Sequence, residues 1–507
     1  MQTYTKTLLL GLTVLLTSCA VGPNYVRPAA SVQVKFKEAK DKQVIVSKKS
    51  KNWKIAQPKD ACDRGAWWQV FHDEQLNSLE AQLNSSNQTI INSYYNYQQA
   101  YALVDEARAS FFPTLAGSVT LIRQKPSSGG SSSSGSSSGT ITTSSGTISG
   151  SSGGGSSAKI TTTHTLSLNA SWEPDIWGLV RRQVEAAAGG AQASAALLAS
   201  TRLLAQASLA QYYFELRGLD IDQKLLNDTV AAYKKDLQVT KNRYAAGVAA
   251  RGDVLQAQSQ LETAQASAIN NGILRGQYEH AIAMLIGVPP GNFALLSARR
   301  RVTPPPIPLG LASELLERRP DIAQAERLMA QANAQIGVAV AAYFPTLTLS
   351  GLVDFVGQDL SHWISLPAMG WSYGAQLADT IIDGGLRSAT VRAAQAGYMA
   401  SVASYRQIVL AAFQDVEDNL VSLRLLNQQA ATLDKAAADA RLALTFVINQ
   451  YKAGTVDYSS VVTAQNTAFA AEKSAADVNY LRMTSAVGLI RALGGGWNAS
   501  EIACAAS

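Results

Sequence analysis

The side chains able to do covalent or metal chemistry are few and scattered. The sequence holds three cysteines, Cys19, Cys62 and Cys504, and four histidines, His72, His164, His280 and His362, each in a different stretch of chain. No H-E-x-x-H, C-x-x-C or glycine-rich phosphate loop lies beside any of them, so the sequence offers neither a metal centre nor a catalytic one. Gly135-Ser136-Ser137-Ser138-Gly139 formally satisfies G-x-S-x-G. A nucleophile elbow needs a strand before it and a helix after it, whereas this copy lies in a repetitive Ser/Gly tract. An enzyme is therefore not expected, and no cofactor with it.

The thiol with the clearest context is Cys19. Lys6 precedes the apolar run Leu8 to Leu16, which is too short to span a bilayer, and Leu16-Thr17-Ser18-Cys19 follows. The pattern is that of an export signal, residues 1–18. The last four residues resemble a bacterial lipobox, which implies a diacylglycerol thioether and an N-palmitoyl group on Cys19. Each buried methylene adds about 0.8 kcal/mol, so several acyl chains anchor a protein stably to a membrane. Ala20 follows the cysteine where, by the same resemblance, an acidic residue would favour inner-membrane retention; the outer membrane is expected. In an oxidising compartment Cys62 and Cys504 could pair, or remain two free thiols.

The elements that would position any function come from the whole chain. Its 507 residues are 47% hydrophobic and 16% charged, with a net charge of +6. Global disorder is excluded, and beyond the signal no segment reaches the roughly 18 apolar residues of a spanning helix. Nine lysines between Lys35 and Lys59 lack interleaved aromatics and read as a solvated segment; nucleic acid is not an expected partner.

The chain is written twice. Ala109-Ser110-Phe111-Phe112-Pro113-Thr114-Leu115 matches Ala341-Ala342-Tyr343-Phe344-Pro345-Thr346-Leu347 at an offset of 232, and Arg243-Tyr244-Ala245-Ala246-Gly247-Val248 matches Gln450-Tyr451-Lys452-Ala453-Gly454-Thr455 at 207. Ordered self-similarity of this kind is an internal duplication. The extra residues of the first half are supplied by the tract 126–158, almost wholly Ser, Gly and Thr, expected as a flexible exposed loop.

Each half reads helix, strand, loop, strand, very long helix, tight turn, helix. Strands are expected at about 112–124, 160–173, 344–356 and 371–383. Leu166-Ser167-Leu168-Asn169-Ala170-Ser171-Trp172 alternates apolar and polar residues, as a sheet with one oily and one wet face requires. Such segments suit a transmembrane β-barrel or half-buried soluble strands. From Arg181 to Ala246 and from Leu386 to Ala453 there is no proline, and each stretch can be one helix of roughly 100 Å. Shorter segments, Leu76 to Ala109 with Asp253 to Ile286 and Leu311 to Ala342 with Tyr458 to Leu493, can stack end to end along those rods. A helical bundle with long arms is the plainer alternative. Four strands cannot close a transmembrane barrel, so a barrel requires several copies, and three would give twelve strands and an aqueous bore.

Three further stretches sharpen this picture: Trp67-Trp68-Gln69-Val70-Phe71-His72-Asp73, Arg318-Arg319-Pro320-Asp321-Ile322, and Ile336 to Leu347. With Cys19-Ala20-Val21-Gly22-Pro23-Asn24-Tyr25 they resemble the signatures of TolC-type outer membrane factors of the lipoprotein, NodT/OprM-like branch. The resemblance implies an α+β membrane protein: a homotrimeric twelve-stranded β-barrel continued by a periplasmic α-helical barrel, with a mixed equatorial region. In those terms residues 19–75 are the acylated segment, 76–290 the first repeat, 291–310 a Pro-rich linker, 311–493 the second repeat and 494–507 an equatorial tail. The implied role is an outer-membrane exit duct for drugs or other toxic compounds, docked through a periplasmic adaptor to an inner-membrane transporter of the resistance-nodulation-division type. A duct for secreted polypeptides shares the architecture, and a non-channel stalk lipoprotein needs no bore.

The turns of the long helices are where the resemblance places the gate. Gly247 and Gly454 sit where each long helix stops, suited to a left-handed helix terminus. The resemblance implies that the tip closes through contacts between neighbouring helix pairs, with Asp253 and Tyr451 at the matching positions; Asp253 could equally cap its helix. An acidic ring of some relatives falls here at Thr463, an apolar constriction at Ser459 and a bracing arginine at Val456. Weaker cation selectivity is expected at this point unless Asp457, itself a possible cap, replaces the ring.

Overall fold

A computed structural model describes residues 20–29, 33, 36–38, 65–125, 140–143, 146–149, 160–298, 303–307, 315–359 and 362–495. Cys19, Cys62 and Cys504, the signal 1–18 and the tail from 496 lie outside these residues. The elements run α1 (Glu74–Ser86), α2 (Gln88–Ala109), β1 (Thr114–Gln124), β2 (Thr140–Thr143), β3 (Gly146–Ser149), β4 (Thr161–Trp172), α3 (Leu179–Ala245), α4 (Arg251–Leu285), α5 (Leu315–Arg318), α6 (Pro320–Ala341), β5 (Thr346–Gly357), β6 (Met369–Ala378), α7 (Leu386–Ala453) and α8 (Tyr458–Ala492). Two compact units result, and neither is a sequence repeat. One combines residues 20–22, Asp105–Val184 and Gly337–Val391; the other takes the remaining described residues.

In the first unit β1, β4, β5 and β6 form one antiparallel sheet in that order. The repeated Phe-Phe-Pro-Thr-Leu and Tyr-Phe-Pro-Thr-Leu motifs make its two helix-to-strand turns, since a proline cannot continue the ladder of α2 or α6. Trp172 Nε1 donates to the Phe111 carbonyl (3.0 Å) and Trp177 Nε1 to that of Pro345 (2.8 Å), with Trp177 stacked on Phe344. The last strand is shorter than expected. It ends at Ala378 because Asp383 and Arg387 (2.7 Å) build a capped turn into α7, with Asp379 also on Arg387. The Ser/Gly/Thr tract is not all coil either. Thr140–Thr143 pairs with Gly146–Ser149 as a short hairpin, consistent with its β-branched residues.

The proline-free stretches are single helices of 67 and 68 residues, each with its first turns in the first unit and the rest in the second. Four helices stop the same way. Val248 N donates to Arg243 O (2.9 Å) and Thr455 N to Gln450 O (3.1 Å), while Val288 N bonds Ala283 O and Gly495 N bonds Ile490 O. These six-to-one bonds are Schellman closures around left-handed Gly247, Gly287, Gly454 and Gly494. The shorter segments do abut end to end, but the first of each pair is broken, while α4 and α8 are continuous. Asn87 separates α1 from α2; its Oδ1 accepts from Ile90 N and its Nδ2 donates to Leu285 O at the end of α4. Arg319 separates α5 from α6 and donates to Ala492 O at the end of α8 (3.1 Å), while pairing with Asp321 (2.7 Å) and Asp415 (3.2 Å). Pro320 opens α6, where its missing N–H costs nothing.

The core of this unit gathers Trp67, Trp68, Phe71, Leu76, Tyr213, Phe214, Tyr405 and Ile490. Asp73 anchors α1 by accepting from Gln75 N and Leu76 N, and it accepts Tyr213 Oη as well (2.8 Å). One group there is mismatched. Glu80 is fully buried with neither carboxylate oxygen hydrogen-bonded, and burial pushes its pKa up to about 9. A raised carboxyl stabilises the fold below its ordinary pKa, and that contribution is lost as pH rises through 9. Thermal unfolding at pH 6 and pH 9.5 should therefore show a gap that Glu80→Gln narrows; an equal gap in both proteins refutes this.

Candidate functional site

The pairing register determines what the sheet presents. Leu115 faces Ala170, Gly117 faces Leu168 and Val119 faces Leu166. Leu166, Leu168 and Ala170 then face Phe355, Val353 and Gly351, which face Met369, Trp371 and Tyr373. Because side chains alternate, all of these lie on one face. That face is apolar from edge to edge and open: Leu115, Val119, Trp371 and Tyr373 are 73, 71, 66 and 82% exposed.

The other face carries Ser118 opposite Ser167, whose hydroxyls are 2.8 Å apart, with Thr120, Thr165, Asn169, Ser350, Ser372 and Gln376 around them. A soluble sheet buries its oily face against another layer, whereas this one has its apolar side bare and its hydroxyl-lined side toward whatever it encloses. Among the described strands the two outer ones, β1 and β6, each have one partner. Long unpaired edges call for strands from another copy.

Sequence reasoning missed Asp354. It is the one charged residue on the polar face of these four strands. Its carboxylate lies across Gly370, where a Cβ would collide with Oδ1. The alternation through β5 carried that signal.

At the base of the sheet the start of the described chain is strapped down. Arg182 donates from Nε to Val21 O (3.0 Å) and from Nη2 to Gly22 O (3.2 Å), and Val21 N donates to Trp177 O. Gly22 has φ +91°, and a Cβ there would overlap the backbone of Gly337. The Val21-Gly22-Pro23 motif thus needs its glycine for both conformation and approach.

At the helix turns, Gly247 (φ +76°) and Gly454 (φ +79°) occupy the left-handed region, and a Cβ at either position would meet nothing within 4 Å. Substitution should therefore cost backbone strain alone, about 1 to 2 kcal/mol for Gly247→Val or Gly454→Val, with asparagine recovering much of it. Hydrogen exchange of the two turns is the measurement, and unchanged protection in the valine variants contradicts it.

The expected gate residues are only partly brought together. Asp457 caps α8: Oδ1 accepts from Ser460 N (3.1 Å) and Ser460 Oγ (2.6 Å), and Oδ2 accepts from Ser459 Oγ (2.8 Å). The Ser460 and Ser459 hydroxyls hold its carboxyl below the usual range. Thr463 donates back to Ser459 O. Ser459, Ser460 and Thr463 line an open groove of about 430 Å³ against Ala440, Ala443 and Val447 of α7.

Asp253 accepts from Ala250 N (3.3 Å) as a cap of α4. Within one chain it does not meet Tyr451. That tyrosine is buried in a small cluster with Tyr233, Tyr458 and Val461, its ring beneath the Arg243 guanidinium (4.4 Å), which also donates to Tyr451 O (3.0 Å). Its hydroxyl has no hydrogen-bond partner among the described residues. Among the described residues no group of three or more His, Cys, Asp or Glu could hold a metal, and no helix is long and apolar enough to cross a membrane.

Comparison with known proteins places this geometry. The family model described as outer membrane efflux protein matches residues 79–288 and 311–495. The pyoverdine export outer membrane protein OpmQ of Pseudomonas aeruginosa is 30% identical over 448 residues, covering 87% of this chain and 90% of its own. The cation efflux system protein CusC of Escherichia coli K12 is 25% identical over 485 residues, 95% and 97% of the two chains. Among solved structures, the outer-membrane channel OprN superposes with a TM-score of 0.79 at 27% identity, covering 94% of this chain and all of that one. The open-state MtrE channel of Neisseria gonorrhoeae gives 0.75 at 26%, over 94% and 98%.

Proposed function

Since the chain belongs to the outer membrane efflux protein family, we propose that three copies close their sheets, β6 of one against β1 of the next, into a twelve-stranded barrel whose oily side meets lipid. The protein is an outer-membrane duct of an efflux system. One observation carries the barrel reading: a four-stranded sheet with a bare apolar face, a hydroxyl-lined face and two open edges. No soluble packing satisfies all three at once.

The partners that follow are a second and third copy of the chain, a periplasmic adaptor and an inner-membrane transporter of the resistance-nodulation-division type. Relatives are named for cation efflux and for pyoverdine export, so cargo is set by the transporter and the duct itself performs no covalent chemistry. The strap from Ala20 to Gly22 is held by Arg182 and Trp177 at the foot of the sheet; acylation of Cys19, which precedes it in the sequence and lies outside the described residues, is part of the proposal.

The test is to purify the protein from outer membranes and record it in planar bilayers. A trimer with steady ion conductance is expected, and a monomer without conductance overturns the proposal. In the same bilayers Asp354 supplies a ring of three carboxylates to strands whose polar face is otherwise uncharged, with Glu173 just past the end of β4 accepting from Thr348 Oγ1 (3.5 Å). Cation preference under a KCl gradient near 0.1 M should fall in Asp354→Asn and vanish for both proteins near 1 M, where the Debye length shrinks from about 10 to about 3 Å. Identical reversal potentials at low salt would exclude that role.

A further inference from the structure

Charge is divided between the two faces of the sheet. Along β1, β4, β5 and β6 only three side chains can be charged near neutral pH: Arg123, His164 and Asp354. The acid lies on the polar face. Both bases lie on the oily one, since Arg123 continues the series Leu115, Gly117, Val119 and Leu121, and His164 continues Leu166, Leu168 and Ala170. They also sit together. Arg123 is opposite Thr162 and His164 is opposite Leu121, which makes them diagonal neighbours with Cα atoms about 7 to 8 Å apart. Their end of the sheet is the one remote from the turns that join the strands to α2, α3, α6 and α7. A cation on a lipid-facing strand is costly at the middle of a bilayer and nearly free at its edge. Leu168, opposite Gly117, is mid-strand. Six residues beyond Gly117, at a rise of about 3.4 Å and a tilt of about 40°, Arg123 stands about 15 Å above that level, and the oily band of such barrels extends only about 12 Å to either side. The guanidinium thus falls at the depth of lipid headgroups.

The connection after β5 closes over the same spot. Gly357 is opposite His164, and a Cβ there would lie 2.7 Å from the Cβ of Trp363. The glycine therefore admits Trp363 onto the oily face, where its ring lies 5.8 Å from the His164 ring, tilted by 49°. Indoles at the rim of an oily band sit among headgroups. Arg123 and Lys125, which follows two residues later, are exposed, and the exposed acid of the connection, Asp359, pairs with neither among the described residues. We infer that Arg123 and His164, with Trp363 beside them, form a seat for the phosphate of an outer-leaflet lipid headgroup, whose acyl chains lie below on Leu121, Val119 and Leu166. The guanidinium fork matches a phosphate with two parallel N–H bonds, the imidazole supplies a further N–H donor, and the indole packs against the sugar or glycerol body. An amphiphile with a phosphate head satisfies the bases and the oily surface at once, which a soluble anion does not. The inference rests on the membrane-barrel reading above and adds to it a ligand of stated chemistry.

The experiment uses the full-length protein, purified in detergent and stripped of bound lipid. Native mass spectrometry follows its titration with lipid A, with lipid A freed of its phosphates, and with lipid A in the presence of inorganic phosphate. Wild type should prefer the phosphorylated lipid by about tenfold or more, and Arg123→Gln should lose that preference, because two charge-assisted bonds go with the guanidinium. His164→Phe keeps a ring against Trp363 and should weaken binding less. Equal affinity of wild type for the two lipids, or of wild type and Arg123→Gln for lipid A, overturns the seat. Inorganic phosphate at the lipid's own concentration should leave the lipid bound; displacement would make the site one for a soluble anion and overturn the lipid assignment. Planar-bilayer conductance keeps this apart from the barrel reading. Arg123 faces away from the bore, so Arg123→Gln should conduct as wild type does. Conductance with phosphate-blind lipid binding overturns the seat alone, whereas a wild-type protein that neither conducts nor forms trimers overturns the barrel beneath it.

Discussion

Replacing Asp220 by alanine is expected to cost about 3 to 5 kcal/mol, among the largest effects of any single side chain outside the sheet. Its carboxylate is 1% exposed and joins three segments: Oδ1 pairs with Arg275 of α4 (2.8 Å), while Oδ2 pairs with Arg217 of α3 (2.8 Å) and accepts from Ala298 N (3.1 Å). Arg217 is 8% exposed and Arg275 21%. Alanine leaves Arg217 poorly solvated and without its carboxylate, while Arg275 keeps Glu279 (2.9 Å); the unneutralised guanidinium is the costly half of a buried ion pair, and a well-packed apolar replacement of the whole set would cost far less. Asp220→Asn should be milder, since the amide oxygen still accepts one bond, and Asp220→Ala with Arg275→Ala should recover part of the loss. The apparent thermal midpoint of the detergent-solubilised protein reads the order of the three variants. An unchanged midpoint in Asp220→Ala would contradict it.

The second large effect belongs to the sheet. Leu168 lies mid-strand in β4, between Gly117 of β1 and Val353 of β5, on the apolar face. Leu168→Arg should cost about 2 to 4 kcal/mol per copy if that face meets the bilayer midplane, and three copies bear it together. Its neighbour in sequence, Ser167, points the other way, so Ser167→Arg should assemble normally and alter conductance instead. The amount of trimer recovered from the outer-membrane fraction separates the two. Equal recovery would mean that the apolar face does not contact lipid.

Much of this was readable in the chain because it depends on local rules. The absence of proline from 181–246 and 386–453 permitted long helices, Gly247 and Gly454 marked their ends, and the doubled Phe-Pro-Thr-Leu motif marked the two places where a helix gives way to the sheet. Alternation in 166–172 set its faces. Boundaries that depend on distant groups were less legible. The breaks at Asn87 and Arg319 exist because those side chains reach the carbonyl ends of α4 and α8, partners roughly 200 and 170 residues away. The last strand stops at Ala378 because the Asp383–Arg387 turn follows it, and the Ser/Gly/Thr tract hides a hairpin that composition alone does not mark.

The gate shows the same division. The family resemblance placed Asp253, Asp457, Ser459 and Thr463 at the tip, but the side-chain bonds decide their present employment: both aspartates cap helices, and Tyr451 turns into a tyrosine cluster beneath Arg243. Sequence by itself determined the duplication, the element types and the two-faced strands, because periodicity and turn chemistry act over a few residues. Only the tertiary structure decided which strands pair, that Asp354 stands as the charge on the polar face, and which helix faces are left open, because those depend on register between segments far apart in the chain.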